Sequence, residues 1–346
     1  MNMATEDKIR IGLIGFGYWG PNIARNLLDS DFYELVSIAD ESELQRSRAS
    51  KKFPSTNIVA TADRIINDPS IDAVAIVTPP ESHFQLAKAC LLAGKHVLIE
   101  KPVTTKSADA LELIQIATEK NLTIMVDHTF VYSPPVNFIR QYIKGGNLGK
   151  IHSFDSKRIN LGIIQKNSDV LWDLAVHDLS ILNSVVPDLP ISVSASGAFL
   201  DNFEQAVTGY MTLFYKSGFI AHIGTSWMSP IKIRQTIIAG DNKMLVYDDL
   251  DTVAKVKIYD SSASVSDDPN SKHNVLVSYR TGDIISPLIP QDEALSLVVK
   301  SFYDSVVNGT ESLSSAKESI RIIDILEAAS KSLSGKGNNI DIDYSI

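Results

Sequence analysis

Apolar positions in the first third of the chain fall in short, unbroken runs. They lie at residues 9–14 (IRIGLI), 35–39 (LVSIA), 73–77 (AVAIV), 96–99 (HVLI) and 122–126 (LTIMV). Runs of this length without polar alternation are the mark of strands buried on both faces, as in a parallel sheet. Helical spacing fills the gaps, at 21–29, 41–52, 62–67, 82–93 and 107–120. Strand and helix alternating at this rhythm predict an α/β domain with a doubly wound parallel sheet.

The rhythm changes near residue 130. Tyr132-Ser133-Pro134-Pro135 punctuates the chain, since paired prolines stop the interiors of both strand and helix. Proline is tolerated in a first helical turn, so the pair also fits the start of a helix over 135–144. Beyond it, alternating strands are expected at 150–160, 190–199, 205–215, 218–228, 232–239, 243–248, 254–260 and 275–280. Turns are expected at Lys216-Ser217-Gly218 and at Gly240-Asp241-Asn242-Lys243, and helices at 171–185, 291–307 and 314–333. Residues 262–274 read as loop. This half predicts an α+β domain with an open, mostly antiparallel sheet, one face of which is free to form a subunit interface. The expected domains are 1–130 and 131–346.

Composition narrows the function. The 346 residues are 44% hydrophobic and 21% charged, ordinary for a soluble globular protein. The net charge of −9 leaves no cationic field for nucleic acid or an anionic membrane. The one cysteine, Cys90, excludes an internal disulfide framework and a cysteine zinc cluster, and its apolar surroundings read as a helix core. The N-terminus lacks the pattern of a secretory signal, and no apolar stretch approaches a membrane span, so a cytoplasmic location is expected.

The first run leads directly into Gly15-Phe16-Gly17-Tyr18-Trp19-Gly20, which opens a helix. In a dinucleotide site the first glycine permits the tight turn. The second lets backbone approach the pyrophosphate, and the third allows close helix–strand packing. The phosphates then rest on the helix N-terminus. Asp40 ends the second strand twenty residues after Gly20. A carboxylate there accepts hydrogen bonds from the adenosine ribose and repels a 2′-phosphate. Glu41 and Ser42 beside it offer no arginine, so NAD is favoured over NADP.

Three further segments carry a family resemblance: Thr78-Pro79-Pro80-Glu81-Ser82-His83, Gly94 to Pro102 (GKHVLIEKP), and Trp172 to Asp178 (WDLAVHD). Over essentially the whole chain, the sequence resembles the glucose–fructose oxidoreductase, inositol dehydrogenase and MocA family. The resemblance implies a Rossmann domain and a C-terminal α/β domain whose open sheet pairs subunits into dimers or tetramers. It implies hydride transfer between NAD(P) and a secondary alcohol, usually on a sugar, inositol or sugar derivative. Thr78, Pro79, Pro80, His83 and Glu100 then lie along the cofactor, Lys101 near the nicotinamide ribose and substrate, and His177 at the reacting hydroxyl. His128, ending the run MVDH, is a further candidate near the nicotinamide.

The chemistry of these residue types agrees. Lys101 stands at the end of a parallel strand, where open α/β sheets bind ligands. A lysine buried there would have a lowered pKa and would orient or deprotonate an alcohol. Asp173 and His177 are spaced i, i+4 on the expected 171–185 helix, where a carboxylate fixes the imidazole tautomer and the imidazole serves as general base. No matching His/Glu cluster accompanies His177, so no metal is expected. Trp172, Arg158, Asn160 and Arg234 are candidates for the substrate pocket, as is Trp227, each with a structural role as the alternative. The segments GYWGPNIARNL, HTFVYSPPV, KRINLG and LWDLAVHDLSIL resemble the nucleotide-sugar branch of the family. That branch includes enzymes that oxidise the 3-hydroxyl of UDP-N-acetylglucosamine or its uronic acid. A free-sugar or inositol dehydrogenase, a 3-ketosugar reductase and a non-catalytic NAD(H) sensor remain as alternatives.

Overall fold

The structure is a computed structural model, and it describes residues 8–266 and 276–346. The chain divides into two units. The first holds the residues up to Ser133 together with Asp292–Asp324 and Tyr344–Ile346; the second holds Pro134–Gln291 and Ile325–Asp343.

The first unit is built on six parallel strands, β1 (Ile9–Ile14), β2 (Tyr33–Ala39), β3 (Asn57–Val59), β4 (Ala73–Ile76), β5 (His96–Glu100) and β6 (Ile124–Asp127). They are ordered β3-β2-β1-β4-β5-β6. Helices α1 (Gly20–Asp29), α2 (Glu43–Lys52), α3 (Asp63–Ile66), α4 (His83–Leu92), α5 (Ser107–Glu119) and α6 (Thr129–Tyr132) connect and follow them. All four residues of β4 and of β6 are buried, as the unbroken apolar runs require. Strand order reverses on either side of β1, which places a ligand crevice at the carboxyl ends of β1 and β4. The short strand β3 carries only three residues and no apolar run, so it did not stand out in the sequence.

The second unit opens with α7 (Pro134–Lys144), whose first turn holds both prolines. Strand β7 (Ile151–Leu161) follows. A π-helical turn over Leu171–Ala175 then leads into α8 (Val176–Val185). The remaining strands are β8 (Ser192–Phe199), β9 (Ala206–Phe214), β10 (Ile220–Ser226), β11 (Met228–Gly240), β12 (Met244–Asp248), β13 (Val256–Ser266) and β14 (Leu276–Ile285). After α9 (Ala294–Asn308) and α10 (Ala316–Ser334), β15 (Ile340–Asp341) completes a nine-stranded sheet ordered β14-β13-β12-β11-β7-β10-β9-β8-β15. Only β7 and β10 pair in parallel; the other neighbours are antiparallel. One face is packed, with Phe154, Met211, Leu213, Ala221, Ile223 and Ile238 buried, while Tyr210, Ile220 and Ile237 on the other face are exposed.

Three expectations differ from the structure. The second domain does not run unbroken from 131 to 346, because α9 belongs to the first unit. Leu295, Val298, Val299, Phe302 and Tyr303 join the core around β1 and β2, and the Tyr33 hydroxyl donates to the Val299 carbonyl at 2.7 Å. The expected 171–185 helix begins with a π turn. The expected loop at 262–274 is strand β13 as far as Ser266, and its remainder lies outside the described residues. Among the described residues no helix is long and apolar enough to cross a membrane.

Candidate active site

The turn between β1 and α1 is shaped by its glycines. Gly15 has φ 98°, in the left-handed region, and a Cβ there would lie 2.4 Å from the Val77 carbonyl oxygen. Only glycine is accommodated. At Gly17 nothing lies within 4 Å of where a Cβ would project. Backbone is bare there, as close approach of a phosphate requires. Phe16 is buried in the core, Tyr18 is exposed, and Trp19 leads into Gly20 and α1.

Asp40 is fixed by the same turn. Its Oδ2 accepts the Phe16 N–H at 2.7 Å and its Oδ1 accepts the Ser42 N–H at 2.8 Å. The carboxylate lines a cavity of about 480 Å³ together with Gly15, Gly17, Glu41, Thr78, Pro79 and Ser82. Arg46, a full helical turn beyond Ser42, donates to the carbonyls of Asp40 and Glu41 at 2.9 and 2.7 Å. Arg46 lies beyond the residues that adjoin Asp40 in sequence. Its signal was the i+4 spacing on α2.

After β4 the Ser82 hydroxyl donates to Thr78 Oγ1 at 2.7 Å and to the Pro79 carbonyl at 2.8 Å, which sets the loop that Pro80 enters. His83 faces inward. Its ring nitrogens lie 2.8 Å from the carbonyls of Pro102 and Thr78, so it braces this loop against the Lys101-Pro102 turn. Burial holds the imidazole below its usual pKa.

The ends of β5 and β6 bring together four ionisable side chains, Glu100, Lys101, Asp127 and His128. Glu100 pairs in register with Asp127, and the two carboxyls are near enough for the Asp127 charge to bear on Glu100. Asp127 also accepts the Trp19 indole N–H at 3.2 Å and the Thr129 hydroxyl at 2.7 Å. Burial pushes both carboxyls up from the usual carboxylate range. Lys101 follows Glu100 and is half-buried. His128 follows Asp127 and is buried, and neither ring nitrogen finds a hydrogen-bond partner among the described residues. Burial first, and the nearby Lys101 charge second, push its pKa down to about 3.

In the second unit the Asp169 carboxylate caps the π turn, accepting the N–H groups of Leu171 and Trp172 at 2.8 and 3.1 Å. The Trp227 indole donates to Asp173 at 3.0 Å, and the Trp172 indole donates to the Ser330 hydroxyl at 2.9 Å. A Cβ at Gly162 would sit 2.8 Å from Trp227 and 3.1 Å from the Asn160 amide nitrogen, so these side chains crowd one spot. His177 is half-buried in the first turn of α8. Single-turn π bulges of this kind concentrate at functional sites.

The two arginines are placed differently from their neighbours. Arg158 is buried and engages Asp178 through Nε at 2.7 Å and Nη2 at 3.1 Å, while the Ser156 hydroxyl donates to the same carboxylate. This pair ties α8 to β7. Arg234 donates to Asp249 at 3.3 Å. The structure thus gathers Asn160, Asp173 and Trp227, and it gives each arginine an acidic partner. Asp127, Thr129 and Arg46 are polar groups here that the sequence did not single out.

The residues present fit a dinucleotide. The bare backbone at Gly17, the carboxylate at the rim of the cavity and the orphaned nitrogens of buried His128 are each what such a ligand would engage.

Comparison with known proteins agrees with this. Residues 9–128 match the model of the GFO/IDH/MocA oxidoreductase family, NAD-binding Rossmann fold, and residues 136–246 match the family's C-terminal domain. The oxidoreductase YdgJ of Escherichia coli K12 is 32% identical over 220 residues, 59% of this chain; the chain spans 63% of that relative's length. The scyllo-inositol 2-dehydrogenase (NADP+) IolW of Bacillus subtilis is 25% identical over 342 residues, 94% of both chains. UDP-N-acetylglucosamine 3-dehydrogenase of Acidithiobacillus ferrooxidans is 29% identical over 229 residues, 63% of this chain and 67% of that relative. A solved structure of the enzyme of that name, GnnA, from the same species superposes with a TM-score of 0.78 at 21% identity, over 95% of this chain and 99% of that one. At that identity the superposition speaks for the fold.

Proposed function

From the premise that this chain belongs to the GFO/IDH/MocA family of NAD-binding oxidoreductases, we propose that it oxidises a secondary hydroxyl of a sugar, the 3-hydroxyl of a nucleotide sugar such as UDP-N-acetylglucosamine. The observation that carries the substrate assignment is the similarity to UDP-N-acetylglucosamine 3-dehydrogenase across 229 residues. The near-full-length match to an inositol dehydrogenase supports a second reading, oxidation of a free inositol or sugar.

In this reading the glycine turn and Asp40 would hold the adenosine end of the cofactor, and Thr78, Pro79 and His128 would serve its other half. When bound, NAD would supply the acceptor for the hydride that leaves the substrate carbon. Lys101 orients the hydroxyl oxygen and polarises it. His177 takes the hydroxyl proton as general base. Trp227 holds Asp173 on the π turn, one helical turn ahead of His177. Arg158 acts at one remove, by anchoring Asp178 next to His177. The open face of the nine-stranded sheet, where Tyr210, Ile220 and Ile237 are exposed, serves as a self-association surface.

Turnover measured by NADH formation on UDP-N-acetylglucosamine, its uronic acid, myo-inositol and free hexoses tests the substrate. The nucleotide sugars are expected to react. Turnover on myo-inositol alone would establish the second reading, and tight NADH binding with no turnover on any of them would make the protein a sensor. Lys101→Ala and His177→Ala are each expected to lower kcat about 10²- to 10⁴-fold while leaving NADH affinity within a few-fold. Near-normal turnover in either variant removes that residue from the chemistry.

A further inference from the structure

Two acids lie side by side where the carboxyl ends of β5 and β6 meet: Asp127 is buried, and Glu100 is half-buried with its Oε2 shielded from solvent. Glu100 and Asp127 are register partners on adjacent parallel strands, so their side chains leave the same face of the sheet and each carboxyl feels the other's charge. Two neighbouring carboxylates away from water cannot both ionise, and one proton shared between them removes the repulsion. The hydrogen-bond donors decide which acid keeps it. Asp127 already accepts from Trp19 Nε1 on one oxygen and from Thr129 Oγ1 on the other, which favours its charged form. Glu100 Oε2 has no partner among the described residues.

We propose that Glu100 and Asp127 form a single acid–carboxylate pair, with the proton on Glu100 and one negative charge on Asp127, and that this pair is a positioning device for the cofactor. It works in two directions. Asp127 holds the indole of Trp19, the residue that leads the glycine turn into α1, so the end of β6 fixes the turn under the pyrophosphate. The pair also sets one negative charge beside Lys101, the next residue on the β5 side, and beside neutral, buried His128 on the β6 side. Both carboxyls are pushed up from the usual carboxylate range by burial, in keeping with a retained proton. The proposal rests on the reading of Lys101 and the glycine turn as a cofactor site, and neither Glu100 nor Asp127 is given contact with the reacting atoms.

The proton is read directly by difference infrared spectroscopy at neutral pH. Wild-type protein is expected to show the carbonyl stretch of a buried carboxylic acid, moved by ¹³C-glutamate labelling and missing in Glu100→Gln. Absence of a labelled acid band in the wild type overturns the shared proton, whatever the variants do. The positioning role is read by NADH affinity from calorimetry. Glu100→Gln keeps a donor to Asp127 and should weaken binding less than Asp127→Leu, which loses the Trp19 acceptor and the charge and should bind about tenfold or more weakly. Asp127→Asn keeps an acceptor and should fall between them. Wild-type affinity in folded Asp127→Leu overturns the positioning role. If that variant does not fold, Asp127→Asn decides, and wild-type affinity there with normal pH dependence overturns it equally. No sugar enters either measurement, so a wrong substrate leaves both results standing, while failure of wild-type protein to bind NADH would instead sink the cofactor reading itself.

Discussion

Single residues separate binding from structure here. His128 is buried as the neutral imidazole, with its pKa pushed down to about 3, whereas the unfolded chain protonates at the ordinary value. Between those two values the unfolded state binds a proton that the folded state does not, so stability falls as pH falls. By pH 5 this contribution costs about 2 kcal/mol. Thermal or denaturant unfolding of wild type and His128→Gln at pH 7.5 and 5 checks it. The variant is expected to lose less stability between the two, and equal losses would contradict a buried neutral histidine. Arg158 makes the opposite kind of case. Its substitution by Met leaves Asp178 buried without its cation, with an expected loss of about 3–5 kcal/mol. A substrate role alone would raise KM and leave stability unchanged. Asp40 and the glycines were legible in the sequence because their meaning is local. Asp127 was not, because its link to Trp19 joins positions 108 residues apart and shows only once β1 and β6 lie in one sheet.

At the scale of the element, the β1–α1 turn contains its own control. Gly15→Ala would drive a Cβ into the Val77 carbonyl from a left-handed backbone, so loss of fold and of NADH binding together is expected. Gly17→Ala meets nothing in the protein, so its melting temperature should stay within a few degrees while NADH affinity drops. Equal NADH affinity in folded Gly17→Ala would place the phosphates elsewhere. The strands and helices of the first third were readable because continuous apolar runs state both type and burial. The π turn at Leu171–Ala175 was not, since the apolar spacing of LWDLA suits one extra residue per turn as well as it suits an ordinary helix. Asp173 therefore lies on a π turn and His177 in the first turn of α8, a backbone whose pitch is not that of one ordinary helix.

For the whole molecule, the sequence separated two kinds of sheet but not the path of the chain between them. An amphipathic helix such as α9 announces that one face is buried, not which core buries it, and the stacking of Phe32 on Tyr303 at 4.5 Å could not be read from either segment. The exposed sheet face was readable as alternation. If that face joins subunits, Ile220→Asp combined with Ile237→Asp should lower the mass seen by sedimentation toward a single chain, without unfolding. An unchanged assembly would move the interface elsewhere. The central claim concerns which bond the protein breaks, and isotopic labelling tests it most directly. UDP-N-acetylglucosamine carrying deuterium at C3 is incubated with NAD and the protein, and the cofactor is recovered for mass spectrometry. The expected result is reduced cofactor one deuterium heavier, formed with a 3-keto sugar; reduced cofactor without deuterium, or no reduction at all, would contradict it.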